Sequence, residues 1–319
     1  MKKMNILLLS AAMTILPVAA PQVALATGVT IGGKYESYEF RNVGPTRGGR
    51  VTAVAGTVAE SGTFYLGASG GGVWKTDDYG TTWKDVSDGF FATRSIGDIS
   101  VAQNDANLVY VGTGSDGLRS NVIAGKGAYK SIDGGKTWKH IGLNNAGQIG
   151  AVEIDPRNND TVYIAAIGSA FGANEERGLY KTTDGGRNWE KVLYISDTVG
   201  IVDVEMHPSN PNIVYASAWK ADRKPWTIIS GGEMSESEGG IYRSIDDGTT
   251  WEKINNGLPT GLVGKIDLAV TPANSSVLAA NVEAPNPEGG LYWSVDQGEN
   301  WTHISNDKGI QNRPFYYTN

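Results

Sequence analysis

From about residue 50 onward, short apolar runs recur with polar, glycine-rich breaks between them. One kind of run ends in a turn former: Ala151 to Ile154 precedes Asp155-Pro156, Asp203 to Met206 precedes His207-Pro208, and Asp267 to Val270 precedes Thr271-Pro272. A second run follows each, at Val162 to Ala165, Ile213 to Ala216 and Val277 to Ala280, with Leu108 to Gly112 as a further copy. Runs of this length with β-branched and aromatic residues, bounded by Asp, Asn, Pro and Gly, predict strands joined by tight turns.

A third and a fourth strand are predicted around a motif that occurs five times. It places a Ser or Thr, then an Asp, a Gly and a Trp at fixed offsets. The copies are Asp78, Gly80 and Trp83; Asp133, Gly135 and Trp138; Asp184, Gly186 and Trp189; Asp246, Gly248 and Trp251; and Asp296, Gly298 and Trp301. The tryptophans are 55, 51, 62 and 50 residues apart, a period that suits one four-stranded propeller blade. The Asp is expected to accept turn N–H groups, the Gly to take positive φ, and the Trp to pack between sheets. Five copies of one turn do not make one active site, so these aspartates are read as fasteners.

The expected fold is therefore all-β: a propeller of four-stranded blades at about 50–88, 95–143, 148–194, 200–256 and 264–306. Phe40 to Gly44 matches Trp138 to Gly142 in register, so 38–45 is expected to be an outer closing strand. The spacing after earlier box tryptophans puts the start of a sixth blade at 313–319. On this reading the five blades are the front of a longer, incomplete ring; a closed five-bladed ring is the alternative.

Residues 1–26 look like a signal peptide: Lys2 and Lys3, an apolar run from Ile6 to Ala20, and Ala24-Leu25-Ala26 as a cleavage site. Cleavage after Ala26 would send residues 27–319 to the periplasm or the medium, with no membrane insertion. The 43 glycines are about twice the usual ~7% and sit in turns. There is no cysteine, which excludes disulfides and thiolate chemistry. A net charge of −7 argues against nucleic acid as a partner. Neither a cofactor nor a metal site is expected.

The boxes are similar to those of BNR, or Asp-box, repeats. The order resembles bacterial exported proteins of the sortilin N-terminal-domain and glycosyl hydrolase BNR type, as do Phe40 to Arg50, Ser69 to Lys75 and Pro225 to Gly232. The resemblance covers nearly all of 27–319. It implies a propeller, and it leaves open receptors, assembly factors, sialidases and xyloglucanases. Phe40-Arg41 is superficially similar to a sialidase motif, but Arg41 aligns with the variable positions Lys84, Lys139, Glu190, Glu252 and Thr302. In xyloglucanases with similar propellers, a catalytic Asp stands where this chain has Ser69. Hydrolysis of a glycosidic bond ordinarily needs two flanking carboxylates.

Function is then expected on the loop face opposite the boxes, where the blades differ most. The longest stretch, Ala218 to Gly239, accounts for the 62-residue spacing. Trp219, Arg223 and Trp226 there, with Arg47, Arg50 and Arg119, are the expected ligand-binding residues. For Trp219 and Trp226 the alternative is a pin that holds the loop down; for Arg47 and Arg50 it is a structural ion pair. Glu175, Glu176 and Glu233 are the only loop carboxylates considered for catalysis. His140, His207 and His303 are expected to be exposed strand or turn residues. The expected function is an extracytoplasmic scaffold binding protein, peptide or glycan, with a glycoside hydrolase as the alternative.

Overall fold

A computed structural model describes residues 50–118, 122–234, 238–307 and 309–310. Among them no helix is long and apolar enough to cross a membrane. The expected closing strand at 38–45 and the sixth-blade start at 313–319 lie outside the described residues.

Five antiparallel sheets follow one another, each with four strands in sequence order. Blade 1 contains β1 (Val51–Gly56), β2 (Phe64–Ala68), β3 (Gly72–Thr76) and β4 (Lys84–Asp85). Blade 2 contains β5 (Ile96–Val101), β6 (Val109–Thr113), β7 (Ala128–Ser131) and β8 (Lys139–His140). Blade 3 contains β9 (Gln148–Ile154), β10 (Val162–Gly168), β11 (Gly178–Thr182) and β12 (Glu190–Leu193). Blade 4 contains β13 (Val199–Met206), β14 (Val214–Arg223), β17 (Gly239–Ser244) and β18 (Glu252–Lys253), with β15 (Ile228–Ser230) on the end of β14. A small ladder pairs β16 (Gly232–Glu233) with β19 (Leu262–Val263). Blade 5 contains β20 (Ile266–Val270), β21 (Leu278–Val282), β22 (Gly290–Ser294) and β23 (Thr302–Ser305).

The innermost strands β1, β5, β9, β13 and β20 pack side by side in that order, and among the described residues the ring is not closed. Each inner blade is covered on both faces, which explains why second strands such as β10, Val162 to Gly168, are buried at every position. The core consequently lies at the seams. One cluster joins blades 1 and 2 around Tyr65, Ile99 and Trp138; others join 2 to 3, 3 to 4 and 4 to 5. The inner strands come so close that a Cβ on Gly150 would sit 2.1 Å from the Val202 carbonyl oxygen.

The box hairpins share one mechanism. In blade 1, Asp78 Oδ1 accepts the Thr82 N–H at 2.8 Å and the Thr76 hydroxyl at 2.7 Å, while Thr76 Oγ1 accepts the Gly80 N–H at 2.9 Å. The same bonds recur around Asp133, Asp184, Asp246 and Asp296. The Thr82 N–H and the Thr76 and Thr82 hydroxyls hold the Asp78 carboxyl down at about 2. Each box also ties back to its own first turn, as in Gly134 N–H to Asn107 O and Asp247 N–H to Asn212 O, both 2.9 Å. The Trp then crosses a seam. Trp138 donates to Val86 O, Trp189 to Ile141 O and Trp301 to Ile254 O, all at 2.7 Å, each carbonyl lying in the preceding blade. Trp83 and Trp251 instead bond their own box glycine carbonyls, Gly80 and Gly248.

Gly298 has φ of +89°, and a Cβ there would reach 2.4 Å from Ile254 Cδ1 in blade 4. Gly298→Ala is expected to cost about 1–2 kcal/mol from positive φ alone, since L-residues resist that region. Urea denaturation followed by Trp fluorescence checks this, and a variant as stable as the parent would contradict it.

Candidate functional site

Two features stand out: an acidic channel between the inner strands and an aromatic hairpin on the loop face. The channel is a cavity of about 280 Å³ lined by Asp98, Asp116, Glu153, Asp203, Glu205 and Asp267, with Lys265. Asp98, Asp203 and Asp267 occupy equivalent places on β5, β13 and β20. Asp98 Oδ2 accepts the Val152 N–H of blade 3 at 2.7 Å, and Asp203 Oδ2 accepts the Leu268 N–H of blade 5 at 2.6 Å. These side chains therefore clasp one inner strand to the next.

Crowding carboxylates in a narrow space raises their proton affinity. Burial pushes Asp98 up to about 7 despite N–H bonds from Val152 and Ile99. Burial, then the charges of Asp98, Asp203 and Asp155, push Glu153 up to about 8. Asp203 is raised by burial and by Asp267, and Glu205 by burial and by Asp203, Glu153 and Asp98. Lys265 is buried at the channel end, 3.1 Å from Asp267 and 3.8 Å from Asp116. Burial alone would lower its pKa, but Asp267 and Asp116 prevail and it is raised.

Sequence reasoning missed these carboxylates. The available signal was a Glu or Asp inside inner-strand runs that otherwise alternate apolar residues, as at Glu153, Asp203 and Glu205. Which of them share one cavity depends on the turn of each blade about the axis.

On the loop face, the segment expected as a 218–239 loop is largely β-structure. Strand β14 runs on to Arg223, turns through Lys224 to Thr227, and returns as β15. Lys224 N–H donates to Thr227 O at 2.8 Å to close the turn. Arg223 N–H donates to Ala170 O at 2.6 Å, docking the hairpin on blade 3. The Arg223 guanidinium bonds Thr227 O, and Lys224 pairs with Asp222 at 2.5 Å.

The two tryptophans divide here. Trp219 is fully buried with Leu118, Ile167 and Val202, and its indole donates to Ser230 Oγ at 2.9 Å. It pins the hairpin and shows no ring face to a ligand, which corrects its place among the expected ligand-binding residues. Trp226 is 93% exposed at the hairpin tip, and Phe171 on the adjoining loop is 61% exposed.

Arg177, in that same loop, is buried; its guanidinium donates to the carbonyls of Ile167, Ser169, Gly172 and Ala221, and so stitches blade 3 to blade 4. Arg50 is exposed, lies outside the channel lining and accepts the Ser69 N–H through its carbonyl. Arg47, Arg41 and Arg119 lie outside the described residues. Glu175, Glu176 and Glu233 are all exposed; Glu176 accepts from the Tyr180 hydroxyl, and the Glu175 carbonyl from Lys191. His207 is buried rather than exposed, because its Nδ1 accepts the turn N–H groups of Ser209 and Asn210. His140 and His303 are exposed on outer strands, His140 edge-on to Tyr129 and His303 stacked on Tyr292. Among the described residues no cluster of His, Asp or Glu is placed to hold a metal ion.

Repeated box hairpins, seam tryptophans and a channel between inner strands define an Asp-box β-propeller. The profile of the Sortilin-Vps10 family (sortilin, neurotensin receptor 3) matches residues 71–223 and 126–257, together more than half the chain. The chain belongs to that family.

A probable oligoxyloglucan-reducing end-specific xyloglucanase from Neosartorya fischeri is 27% identical over 133 residues, covering 40% of this chain and 14% of that protein. Among solved structures, an ancestral GH74 enzyme superposes with a TM-score of 0.62 at 19% identity, over 83% of this chain and 32% of that one. The GH74 enzyme of Niastella koreensis gives 0.57 at 23%, over 79% and 38%. These structural likenesses concern the fold. This chain spans less than half the length of each of these proteins.

Trp219→Ala is expected to cost about 3–5 kcal/mol, as for other large-to-small core changes. Trp226→Ala should stay within about 0.5 kcal/mol of the parent. Thermal unfolding of the two variants side by side checks the division; equal losses would contradict it.

Proposed function

We propose that this chain is an exported binding propeller that recognises a protein, peptide or glycan through its loop face. The observation that carries this reading is Trp226, an exposed indole on a hairpin stapled to two blades. A flat apolar ring normally costs free energy in water, so holding one out on a fixed backbone favours a binding role. The backbone ordering is already complete before a ligand arrives, which lowers the cost of capture. Arg223 and Lys224 precede Trp226 in the same hairpin, where they bond Thr227 O and Asp222 and hold the turn that presents the ring. The leader-like residues 1–26 support an extracytoplasmic site of action.

A glycoside hydrolase is the second reading, favoured by the stretch shared with a xyloglucanase. Two features oppose it. Ser69 stands at the position expected to carry a catalytic Asp, and its Oγ lies 3.4 Å from Ser115 Oγ in a hydroxyl cluster rather than beside a carboxylate. The clasping carboxylates of the channel are tied to backbone N–H groups between blades.

The test uses a glycan array that includes xyloglucan oligosaccharides, together with an immobilised periplasmic peptide library. Trp226→Ala is expected to lose at least about tenfold in affinity for whatever the parent retains, with unfolding unchanged. Equal retention by the variant would remove the loop-face assignment. Turnover of xyloglucan that disappears in Glu175→Gln, Glu176→Gln or Glu233→Gln would put the hydrolase reading first.

A further inference from the structure

The channel carboxylates do two jobs that conflict. Asp98 and Asp203 clasp the next blade through the Val152 and Leu268 N–H groups. Glu153 lies on β9 between these two clasps, and Glu205 lies two residues beyond Asp203 on β13. Asp98, Asp203 and Asp155 all act on Glu153, and Asp203, Glu153 and Asp98 all act on Glu205, each raising proton affinity. From β20 come Lys265 and Asp267, and from the connection after β6 comes Asp116. Lys265 is the one cation among these lining residues; it is 3.1 Å from Asp267 and 3.8 Å from Asp116, at the blade 5 end. Glu283, behind it, accepts the Lys265 N–H at 2.9 Å and the Ser230 hydroxyl at 2.6 Å. The blade 2 to blade 4 side thus has carboxylates facing carboxylates.

We propose that these side chains make the blade 2–3 and blade 4–5 seams a proton-dependent clasp, tight in mildly acidic medium and loosened in alkaline medium. In mildly acidic medium Asp98, Glu153 and Glu205 are protonated, and the Asp98 and Asp203 oxygens accept their N–H partners without a crowd of like charge beside them. As the glutamates ionise, four negative groups share one narrow cavity, and the cheapest relief is to move the inner strands apart. On the proposed reading that the chain is exported, it meets ambient pH directly, and such a clasp ties the spacing of its blades to the medium.

The sign follows from linkage. Carboxyls whose folded pKa lies above the unfolded value stabilise below the unfolded value, and this contribution is lost as pH rises through the folded one. For Asp98 and Glu153 that loss falls at about 7 and about 8. The box aspartates Asp78, Asp184 and Asp246, held at about 2, are fully ionised throughout this range and contribute no slope. Lys265, raised, stays charged within it.

The test compares the parent chain with Glu153→Gln/Glu205→Gln, and with Glu153→Gln alone if the double variant does not fold. Between pH 6 and pH 9 the folded-to-unfolded ratio of the parent, from urea denaturation, should fall by at least about tenfold. The Gln variant should lose much less. Hydrogen exchange, corrected for intrinsic rates, should show the Val152 and Leu268 amides losing protection at pH 9 while the box amides of Gly135 and Gly248 keep theirs. Equal pH slopes in parent and variant would overturn the clasp. So would unchanged protection at Val152 and Leu268, even if global stability fell.

Discussion

A four-stranded sheet of this kind has two apolar faces and no way to cover both. Everything else in the molecule depends on the seam where one blade lies on the next. Four of the apolar clusters are seam clusters, and the seam also carries the polar bonds that set its register. At the rim, box tryptophans donate to carbonyls of the preceding blade; at the axis, Asp98 and Asp203 accept N–H groups from the following one. The rim bonds bring neutral groups together. The axis bonds gather charge, because four of the five inner strands, β5, β9, β13 and β20, bring carboxylates to the same cavity.

The box hairpins matter through the seam rather than through chemistry. Their aspartates hold a turn whose Gly takes positive φ, and in three of the five boxes that turn aims the Trp indole at a carbonyl of the preceding blade. The loop face opposite is freed from this work. Blade 4 uses the freedom most, extending β14 past the sheet, folding it back as β15 and burying Trp219 beneath so that Trp226 stands clear.

Much of this was legible along the chain. Blade number and strand order followed from the boxes, because a turn that needs Asp, Gly and Trp at fixed offsets can hardly be written otherwise. The channel was not legible, because Glu153, Asp203 and Glu205 resemble the polar half of any alternating strand. His207 was misread as exposed for a similar reason: it takes the turn place of Asp155, yet the neighbouring packing closes over it.

What the sequence determined by itself was local and repeated: the strands, the box turns and the all-β class, each fixed by contacts within a dozen residues. What only the tertiary structure decided was which residues meet across seams. Trp219 and Trp226 lie seven residues apart, and the return of β15 along β14 put one inside and the other out. The carboxylates likewise became an acidic channel through the angle between successive blades. That angle belongs to the packed seams, and no single stretch of chain encodes it.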